Sequence, residues 1–203
     1  MSAKPKEAAP PRLIIGISGA SGAVYGVRLL ELLKDQGVET HLIMSRAAQV
    51  TLAYETNLKV QDVERLASVV HSNNDIAAAC SSGSFKTMGM IVAPCSIKTM
   101  SEVATGITSN LLSRSADVVL KERRRLVLLL RETPLHMGHI RTMAAVAEAG
   151  AIIYPPVPAF YAMPKSLSEM VDHTLGRVLD LFDIDVATVR RWTGDKARPA
   201  EET

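Results

Sequence analysis

The chain has 203 residues, of which 47% are hydrophobic and 22% charged, and its formal net charge is +2. That length suits one compact domain, and the apolar fraction excludes a chain that is disordered throughout. The small charge and an aromatic content of 4% argue against an extended nucleic-acid surface. Two cysteines cannot form a disulfide framework, and no apolar run approaches the ~18 residues of a membrane span. We therefore expect a soluble, cytoplasmic domain with neither nucleic acid nor membrane as a partner.

The two ends of the chain differ in composition from its middle. Residues 1–12 are rich in Pro, Ala and Lys, and residues 193–203 are polar, so neither buries enough apolar surface to offset the entropy of ordering. The first segment also lacks the apolar stretch of a signal peptide. We expect a disordered leader over 1–12, one folded domain over 13–192 and a flexible tail over 193–203.

The first half of the domain alternates short apolar runs with amphipathic ones of helical spacing. The pattern predicts a strand at 13–18, a helix at 23–36 with Gly37 at its C-terminus, a strand at 39–44, and a helix that Ser45 caps and that runs to about Thr56. Residues 57–87 show turn signals but no clear periodicity.

The second half continues the same alternation. It predicts a strand at 88–93 stopped by Pro94, a helix at 110–120, a strand at 126–130, a helix at 136–149, a strand at 151–154 and a helix at 167–182. Strands that alternate with helices predict an α/β fold with a parallel sheet covered by helices on both faces. Because such sheets bind ligands at the carboxyl ends of their strands, the segments after each strand are the candidate sites.

The segment after the first strand is rich in glycine and opens directly into a helix. Residues 16–23 read GISGASGA, so the backbone can approach a ligand closely at a helix N-terminus that favours anions. The spacing is not G-x-G-x-x-G and there is no P-loop lysine, which weakens a dinucleotide or nucleoside-triphosphate interpretation. A tight turn that needs glycine only for packing is the alternative.

The later strand ends carry other polar groups. Residues 93–99 combine hydroxyls, a lysine and backbone amides, and we interpret Cys95 among them as a small buried thiol because no base is identifiable beside it. Arg131 and Glu132 could clamp an anion or form only a surface ion pair, and both interpretations stay open. Residues 154–161 form a proline-stiffened loop with aromatic residues at its tip, typical of a segment that covers a site.

Two further features predict little chemistry. The cations of residues 123–125 follow a helix, where we expect them to stay solvated and to complement the helix dipole. The five histidines form no H-E-x-x-H motif and no Cys/His quartet, so we expect no protein-bound metal.

Taken together, these segments resemble the UbiX/Pad-type flavin prenyltransferases. The resemblance covers about residues 13–192 and is carried by the stretches GISGASGAVYGVRLL, HLIMSRAAQ, the ET of YETN, APCSIKT, LLSRSADVVLKERR, RETPLHMGH, PPVPAFYAMP and GRVLDLF, and by Trp192. Several independent motifs occur in one order, which makes the resemblance more specific than the glycine-rich loop alone.

The resemblance implies a flavodoxin-like, Rossmann-related single domain that assembles as a homododecamer with sites at subunit interfaces. The implied activity transfers the dimethylallyl group of dimethylallyl monophosphate to N5 and C6 of reduced FMN. It yields prenylated FMN, the cofactor of UbiD-type decarboxylases, without a metal. Whether the product serves ubiquinone biosynthesis or aromatic acid decarboxylation is not implied.

The resemblance also implies site residues. The cofactor-binding set is Gly19, Ala20, Ser21, Ser45, Ser96, Ile97, Lys98, Thr99 and Arg131. The residues implied to contact dimethylallyl phosphate are Lys121, Tyr161 and Arg177. The implied catalytic set is Ser21, Glu55, Arg114, Lys121, Glu132 and Trp192, some of them supplied by a neighbouring subunit.

The residues themselves fit such chemistry, because the chain has no Asp-rich D-D-x-x-D cluster and a phosphate would instead be neutralised by Arg, Lys and Tyr side chains. Two alternatives stay open. A cysteine-decarboxylase-type flavoprotein would share the fold, although the loop after the third predicted strand has no Asn and no Pro-x-Met-Asn motif follows. A non-catalytic FMN carrier would need only the glycine-rich loop and the strand ends.

Overall fold

A computed structural model describes residues 9–187, 189 and 191. Its strands are β1 (Arg12–Ile17), β2 (Glu39–Met44), β3 (Val69–Ser72), β4 (Gly89–Cys95), β5 (Arg125–Leu130) and β6 (Ile152–Ile153). Its helices are α1 (Ala23–Leu33), α2 (Arg46–Glu55), α3 (Val60–Glu64), α4 (Ile97–Thr105), α5 (Leu111–Lys121), α6 (Met137–Glu148) and α7 (Leu167–Asp180). Two short 3-10 turns, Ala79–Ser81 and Phe160–Ala162, interrupt the loops.

The strands form one sheet in the order β3-β2-β1-β4-β5-β6, and every neighbouring pair is parallel. The order reverses between β1 and β4, which places the topological switch point at the ends of these two strands. The predicted α/β fold with a parallel sheet is thereby confirmed.

The residues of β1 alternate between two apolar layers. Leu13, Ile15 and Ile17 pack on one face with α1, α2 and α7, whereas Ile14 packs on the other face with α4, α5 and α6. Since both faces are covered, the central strands carry continuous apolar runs rather than alternating ones. Helices on both faces of the sheet were expected, and the structure has them.

Three expectations from the sequence were wrong, two of them about strands and one about a helix. β3 was missed because its four residues, VVHS, alternate in burial at the edge of the sheet and give no continuous apolar run. β4 does not stop at Pro94 but continues through it to Cys95, with a register shift after Val92. Residues 97–99 are the first turn of helix α4 rather than a loop, because Ser96 caps that helix.

The arginines after α5 also differ from expectation. Arg124 is not simply solvated: its guanidinium donates to the carbonyl oxygens of Phe85 at 2.6 Å and Gly83 at 2.7 Å. The guanidinium of Arg124 therefore supplies hydrogen-bond donors to backbone carbonyl groups of residues 79–88. Arg125 lies over the ring of Phe182, 5.5 Å from its centroid.

Candidate functional site

Helix α1 begins at a glycine that adopts a left-handed conformation. Gly22 has a φ of 103°, which strains any residue with a side chain, so the turn between β1 and α1 requires glycine here. The carboxylate of Glu55, at the end of α2, accepts hydrogen bonds from the backbone N–H of Gly22 at 2.9 Å and of Ala23 at 2.9 Å. Glu55 thus caps α1 from outside the helix and ties the glycine-rich loop to α2.

Burial alone would raise the pKa of Glu55, but its hydrogen bonds outweigh this effect. The Ser21 side chain and the N–H groups of Ala23 and Gly22 bind the ionised form, so the pKa of Glu55 lies below its ordinary value. Arg131 adds a smaller favourable charge interaction. The carboxylate is therefore ionised at neutral pH and serves the loop as an acceptor.

A cleft of about 590 Å³ lies between the glycine-rich loop and the ends of β5 and β6. Its lining residues are Gly19, Ala20, Ser21, Ser96, Leu130, Arg131, Glu132, Thr133 and the four residues 155–158. Arg131 Nε donates to the backbone oxygen of Ser21 at 3.2 Å, whereas the carboxylate of Glu132 accepts from the N–H of Thr133 at 3.1 Å. The expected Arg131–Glu132 ion pair is thus replaced by backbone contacts. We call this the first cleft.

A second cleft, of about 480 Å³, lies between the N-termini of α2 and α4. Ser45 and Ser96 cap these two helices by accepting hydrogen bonds from the N–H of Ala48 and Thr99 respectively. The cleft is lined by Gly19, Ser45, Arg46, Ala47, Asn73, Asn74, Ser96, Lys98, Thr99, Glu102, Ser109, Asn110 and Leu112. Two helix N-termini with the cations Arg46 and Lys98 favour an anion in this space.

The two clefts meet at Gly19 and Ser96, which line both of them. Beneath this meeting point the buried hydroxyl of Ser18 donates to the carbonyl of Pro94 at 2.9 Å and accepts from the N–H of Ser96 at 2.8 Å. These bonds fasten the end of β1 to the end of β4. A ligand that spans both clefts would thus cross the switch point of the sheet, where doubly wound folds bind ligands.

Gly19 has no room for a side chain. A Cβ atom at this position would lie 2.4 Å from the Cβ of Ala47, which is too close for two carbon atoms. The glycine-rich loop therefore packs directly on the first turn of α2. This contact holds the loop at the junction of the two clefts.

Tyr161 and Arg177 lie near Tyr154, the residue that follows β6. Burial raises the pKa of Tyr154, the positive charge of Arg177 opposes this rise, and Tyr161 adds to it. Arg177 itself bonds to Asp180 at 2.6 Å. The structure therefore brings two of the three expected donor-binding residues to one region, beside the end of the sheet's edge strand.

Six of the residues expected in the site line neither cleft: Glu55, Ile97, Arg114, Lys121, Tyr161 and Arg177. Arg114 bonds to the backbone oxygen of Ser81 at 3.3 Å and to Asp117 at 2.9 Å, and Lys121 pairs with Glu122. Neither of them lines either cleft of this single chain. Ile97 packs against the apolar layer beneath α4, and Trp192 lies outside the described residues.

Several residues of the clefts were missed from the sequence. Arg46 could have been found from the sequence, because it is the first residue of a helix that directly follows a strand and the cap Ser45. Asn73 and Asn74 were noted only as a turn because β3, which they follow, was itself missed. Cys95 is buried as expected, and burial raises the pKa of its thiol.

Metal and membrane signatures are not found in the part of the chain that the structure describes. No cluster of three or more His, Cys, Asp or Glu side chains suited to a metal ion occurs there. Nor does any helix among residues 9–187 combine the length and the apolar character needed to cross a bilayer.

The parallel sheet and the paired clefts define a doubly wound α/β protein whose switch point is lined by groups that favour an anionic ligand. The model of the family described as Flavoprotein matches residues 1–191. The flavin prenyltransferase UbiX of Thauera aromatica is 54% identical over 187 residues, which cover 92% of this chain and 96% of that protein.

Two solved structures have the same fold at high identity. AnUbiX (PadA1), crystallised in complex with FMN and dimethylallyl pyrophosphate, is 49% identical with a TM-score of 0.90, over 92% of this chain and 100% of that one. A dodecameric FMN-dependent Ubix-like decarboxylase from Escherichia coli O157:H7 is 47% identical with a TM-score of 0.88, over 90% of this chain and 100% of that one. The chain belongs to the UbiX-type flavin prenyltransferases within the Flavoprotein family.

Proposed function

We propose that this chain is a flavin prenyltransferase. It transfers the dimethylallyl group of dimethylallyl monophosphate to N5 and C6 of reduced FMN and releases prenylated FMN and phosphate. The observation that carries the proposal is the pair of clefts that meet at Gly19 and Ser96, one at two helix N-termini and the other bordered by Arg131. Relatives at 54% and 57% identity carry the same activity in their names.

The second cleft fits the phosphate end of FMN. The caps Ser45 and Ser96, the N–H groups behind them and the cations Arg46 and Lys98 supply donors and positive charge of the kind a phosphate requires. We assign the isoalloxazine ring to the first cleft, because the glycine-rich loop lets the backbone approach a ligand closely and the segment 155–158 supplies apolar proline and valine side chains opposite it. Both volumes fall within the range of about 300–1,000 Å³ that is typical of cofactor sites.

We assign the donor phosphate to Tyr161 and Arg177, with Arg131 and Glu132 at the border of the first cleft. Arg114 and Lys121 line neither cleft within one chain, so we assign them to a site completed by a neighbouring subunit. One solved relative is a dodecamer, and we propose the same assembly for this chain. Trp192 keeps its proposed place near the pocket as a prediction.

The side chains of this chain stabilise charge rather than shuttle protons. The bond to N5 of reduced FMN forms as the allylic C–O bond breaks, and the phosphate leaves with the electrons of that bond and takes up the N5 proton. The bond to C6 forms at the expense of the prenyl double bond, whose other carbon gains a proton while C6 loses one. Preplaced guanidinium, ammonium and phenol donors stabilise the negative charge that develops on that phosphate, and one such donor is typically worth about 3–4 kcal/mol. Ser21 and Glu55 hold the glycine-rich loop beside the reacting flavin edge, and Glu55 does so as an ionised acceptor.

One assay tests the whole proposal. The purified protein is incubated anaerobically with reduced FMN and dimethylallyl monophosphate, and the flavin is analysed by mass. We expect a flavin that is heavier by one prenyl unit, both in the presence of a metal chelator and in its absence. An unchanged flavin after full reduction contradicts the proposal. The same assay with dimethylallyl pyrophosphate, the compound bound in one solved relative, decides between the two phosphates.

The other two interpretations make different predictions. A cysteine-decarboxylase-type flavoprotein would decarboxylate a peptidyl cysteine with oxidised FMN, and a carrier would return FMN unchanged. Identity of 54% with a flavin prenyltransferase over 92% of the chain favours the transferase over both. We further propose that prenylated FMN passes to a UbiD-type decarboxylase, which a coupled decarboxylation assay with the recipient enzyme tests.

A further inference from the structure

Helix α7 carries a buried histidine with an unusual environment. His173 is 7% exposed, and no hydrogen-bond partner of its Nε2 exists among the residues that the structure describes. Its ring meets the ring of Tyr161 edge-on, with the centroids 5.7 Å apart and the planes at 81°. A buried polar atom without a partner destabilises the arrangement that buries it.

The segment in contact with His173 lies between two cavities. Residues 155–158 line the first cleft, while residues 159 and 162–165 line a separate cavity of about 380 Å³ whose other side is formed by His173, Met170 and Asp172. Within the segment, the turn is closed by hydrogen bonds from Ala162 N to Ala159 O at 3.0 Å and from Met163 N to Phe160 O at 2.9 Å. Within the single chain, the contact between Tyr161 and His173 therefore supports a segment that has a cavity on each side.

We propose that His173 is a positioning residue with two opposing effects on the turn Phe160–Ala162. Its ring contact with Tyr161 stabilises the closed turn, and its unpaired Nε2 destabilises the closed turn. The edge-on ring contact favours the closed turn, because aromatic pairs of this geometry attract each other. Opening of the turn lets water reach Nε2, which favours the open state. Because the two effects oppose each other, the closed turn is only modestly stable. We infer that dimethylallyl monophosphate enters and leaves the site when this turn opens. The consequence for the donor rests on the proposed function.

The proposal predicts the effects of two substitutions of the same residue. His173→Phe keeps an aromatic ring but removes the unpaired nitrogen, so the turn should open less often than in the wild-type protein. His173→Ala removes the ring contact together with the nitrogen, so the turn should open more often than in His173→Phe. A histidine that only fills space predicts equal opening in His173→Phe and wild type, because phenylalanine would merely replace its volume.

Hydrogen exchange of the full chain with FMN bound measures the opening directly. The amides of Ala162 and Met163 should exchange more slowly in His173→Phe than in the wild-type protein, and about 2- to 10-fold faster in His173→Ala than in His173→Phe, which is the range that an aromatic pair is worth. Thr174→Ala is the matched control, since Thr174 is also buried on α7 but its hydroxyl bonds only to the carbonyl of Met170 at 2.9 Å. Exchange at Ala162 and Met163 should not change in this control.

Kinetics give the second readout. The KM for dimethylallyl monophosphate should be higher in His173→Ala than in His173→Phe by a similar factor, while the affinity for FMN is the same in both variants. Equal exchange in His173→Ala and His173→Phe, exchange in His173→Phe that is as fast as in wild type or faster, or changed exchange in Thr174→Ala each overturn the proposal. If the wild-type protein forms no prenylated flavin, the proposed function fails, and the exchange data still decide the role of His173.

Discussion

The guanidinium of Arg131 is held by the backbone of the glycine-rich loop: its Nε donates to the carbonyl oxygen of Ser21 at 3.2 Å. This bond joins the end of β5 to the segment after β1, two strands that are separated in the sheet by β4. Arg131 also lines the first cleft, and a guanidinium has five N–H donors, so the one bound to Ser21 leaves others that can bind a ligand. One residue thereby shapes the wall of the cleft and supplies a charge to it.

Replacement of Arg131 tests this double role. Arg131→Ala should weaken FMN binding by about 10- to 100-fold, because hydrogen bonds to charged groups contribute about 1.5–3 kcal/mol. Arg131→Lys keeps the charge but loses the planar fork, so it should recover only part of the affinity. Flavin fluorescence titration measures both. Wild-type affinity in Arg131→Ala would contradict the assignment.

Lys98 offers a test of the phosphate position. It is largely exposed at the border of the second cleft, so Lys98→Ala should weaken FMN binding by only about 2- to 5-fold, the size typical of an exposed charge pair. Binding of riboflavin, which has no phosphate, should not change. Lys86→Ala removes an exposed lysine that lines neither cleft and serves as the control. An equal loss of riboflavin affinity would place the phosphate elsewhere.

Tyr161 should act on the donor and not on the flavin. Tyr161→Phe removes one phenol donor while keeping the ring against His173, so we expect prenyl transfer to fall by about 10²- to 10³-fold with FMN affinity retained. Tyr54→Phe, which removes a phenol from a side chain that is 88% exposed, should leave the rate unchanged. Single-turnover formation of prenylated FMN is the measurement. The assignment fails if Tyr161→Phe reacts at the wild-type rate.

Glu55 predicts a dependence of stability on pH. Its pKa is lowered on folding, so the stability it contributes is fully present above its ordinary pKa and is lost as the pH falls through the lower folded value. Glu55→Gln should therefore flatten the acid side of the stability curve, while the loss at neutral pH reflects the weakened cap of α1. Urea unfolding between pH 3 and pH 7 checks this. A parallel offset at every pH would show that ionisation of Glu55 is not the cause.

Gly19 should tolerate no side chain. Gly19→Ala places a Cβ 2.4 Å from that of Ala47, so the loop must shift away from α2, and overpacking of this kind typically costs about 1–3 kcal/mol. We expect a lower Tm together with weaker FMN binding. Gly16→Ala is the comparison, because its Cβ would meet the flexible end of Met90 at 3.0 Å, which moves more easily. Equal FMN affinity in Gly19→Ala and Gly16→Ala would contradict a role of the glycine-rich loop in FMN binding.

Local sequence patterns predicted the elements whose signals are local. The apolar run of β1, the cap Ser45 and the spacing of α7 each depend on neighbours a few residues away, and the structure has all of them. The short edge strand β3 and the passage of β4 through Pro94 were not predictable in this way, because pairing with a neighbouring strand decides both.

By itself the sequence determined an alternating α/β chain, its family and the polar groups at its strand ends. Only the tertiary structure decided which of those groups share a cleft. The hydrogen bonds of Ser18 hold the segments of Gly19 and Ser96 next to each other, and Arg131 bonds to the backbone of Ser21 and not to Glu132. The tertiary structure also left Arg114 and Lys121 outside both clefts of the single chain. The reason is physical, since strand order and helix packing set distances between residues far apart in the chain, and no local pattern encodes those distances.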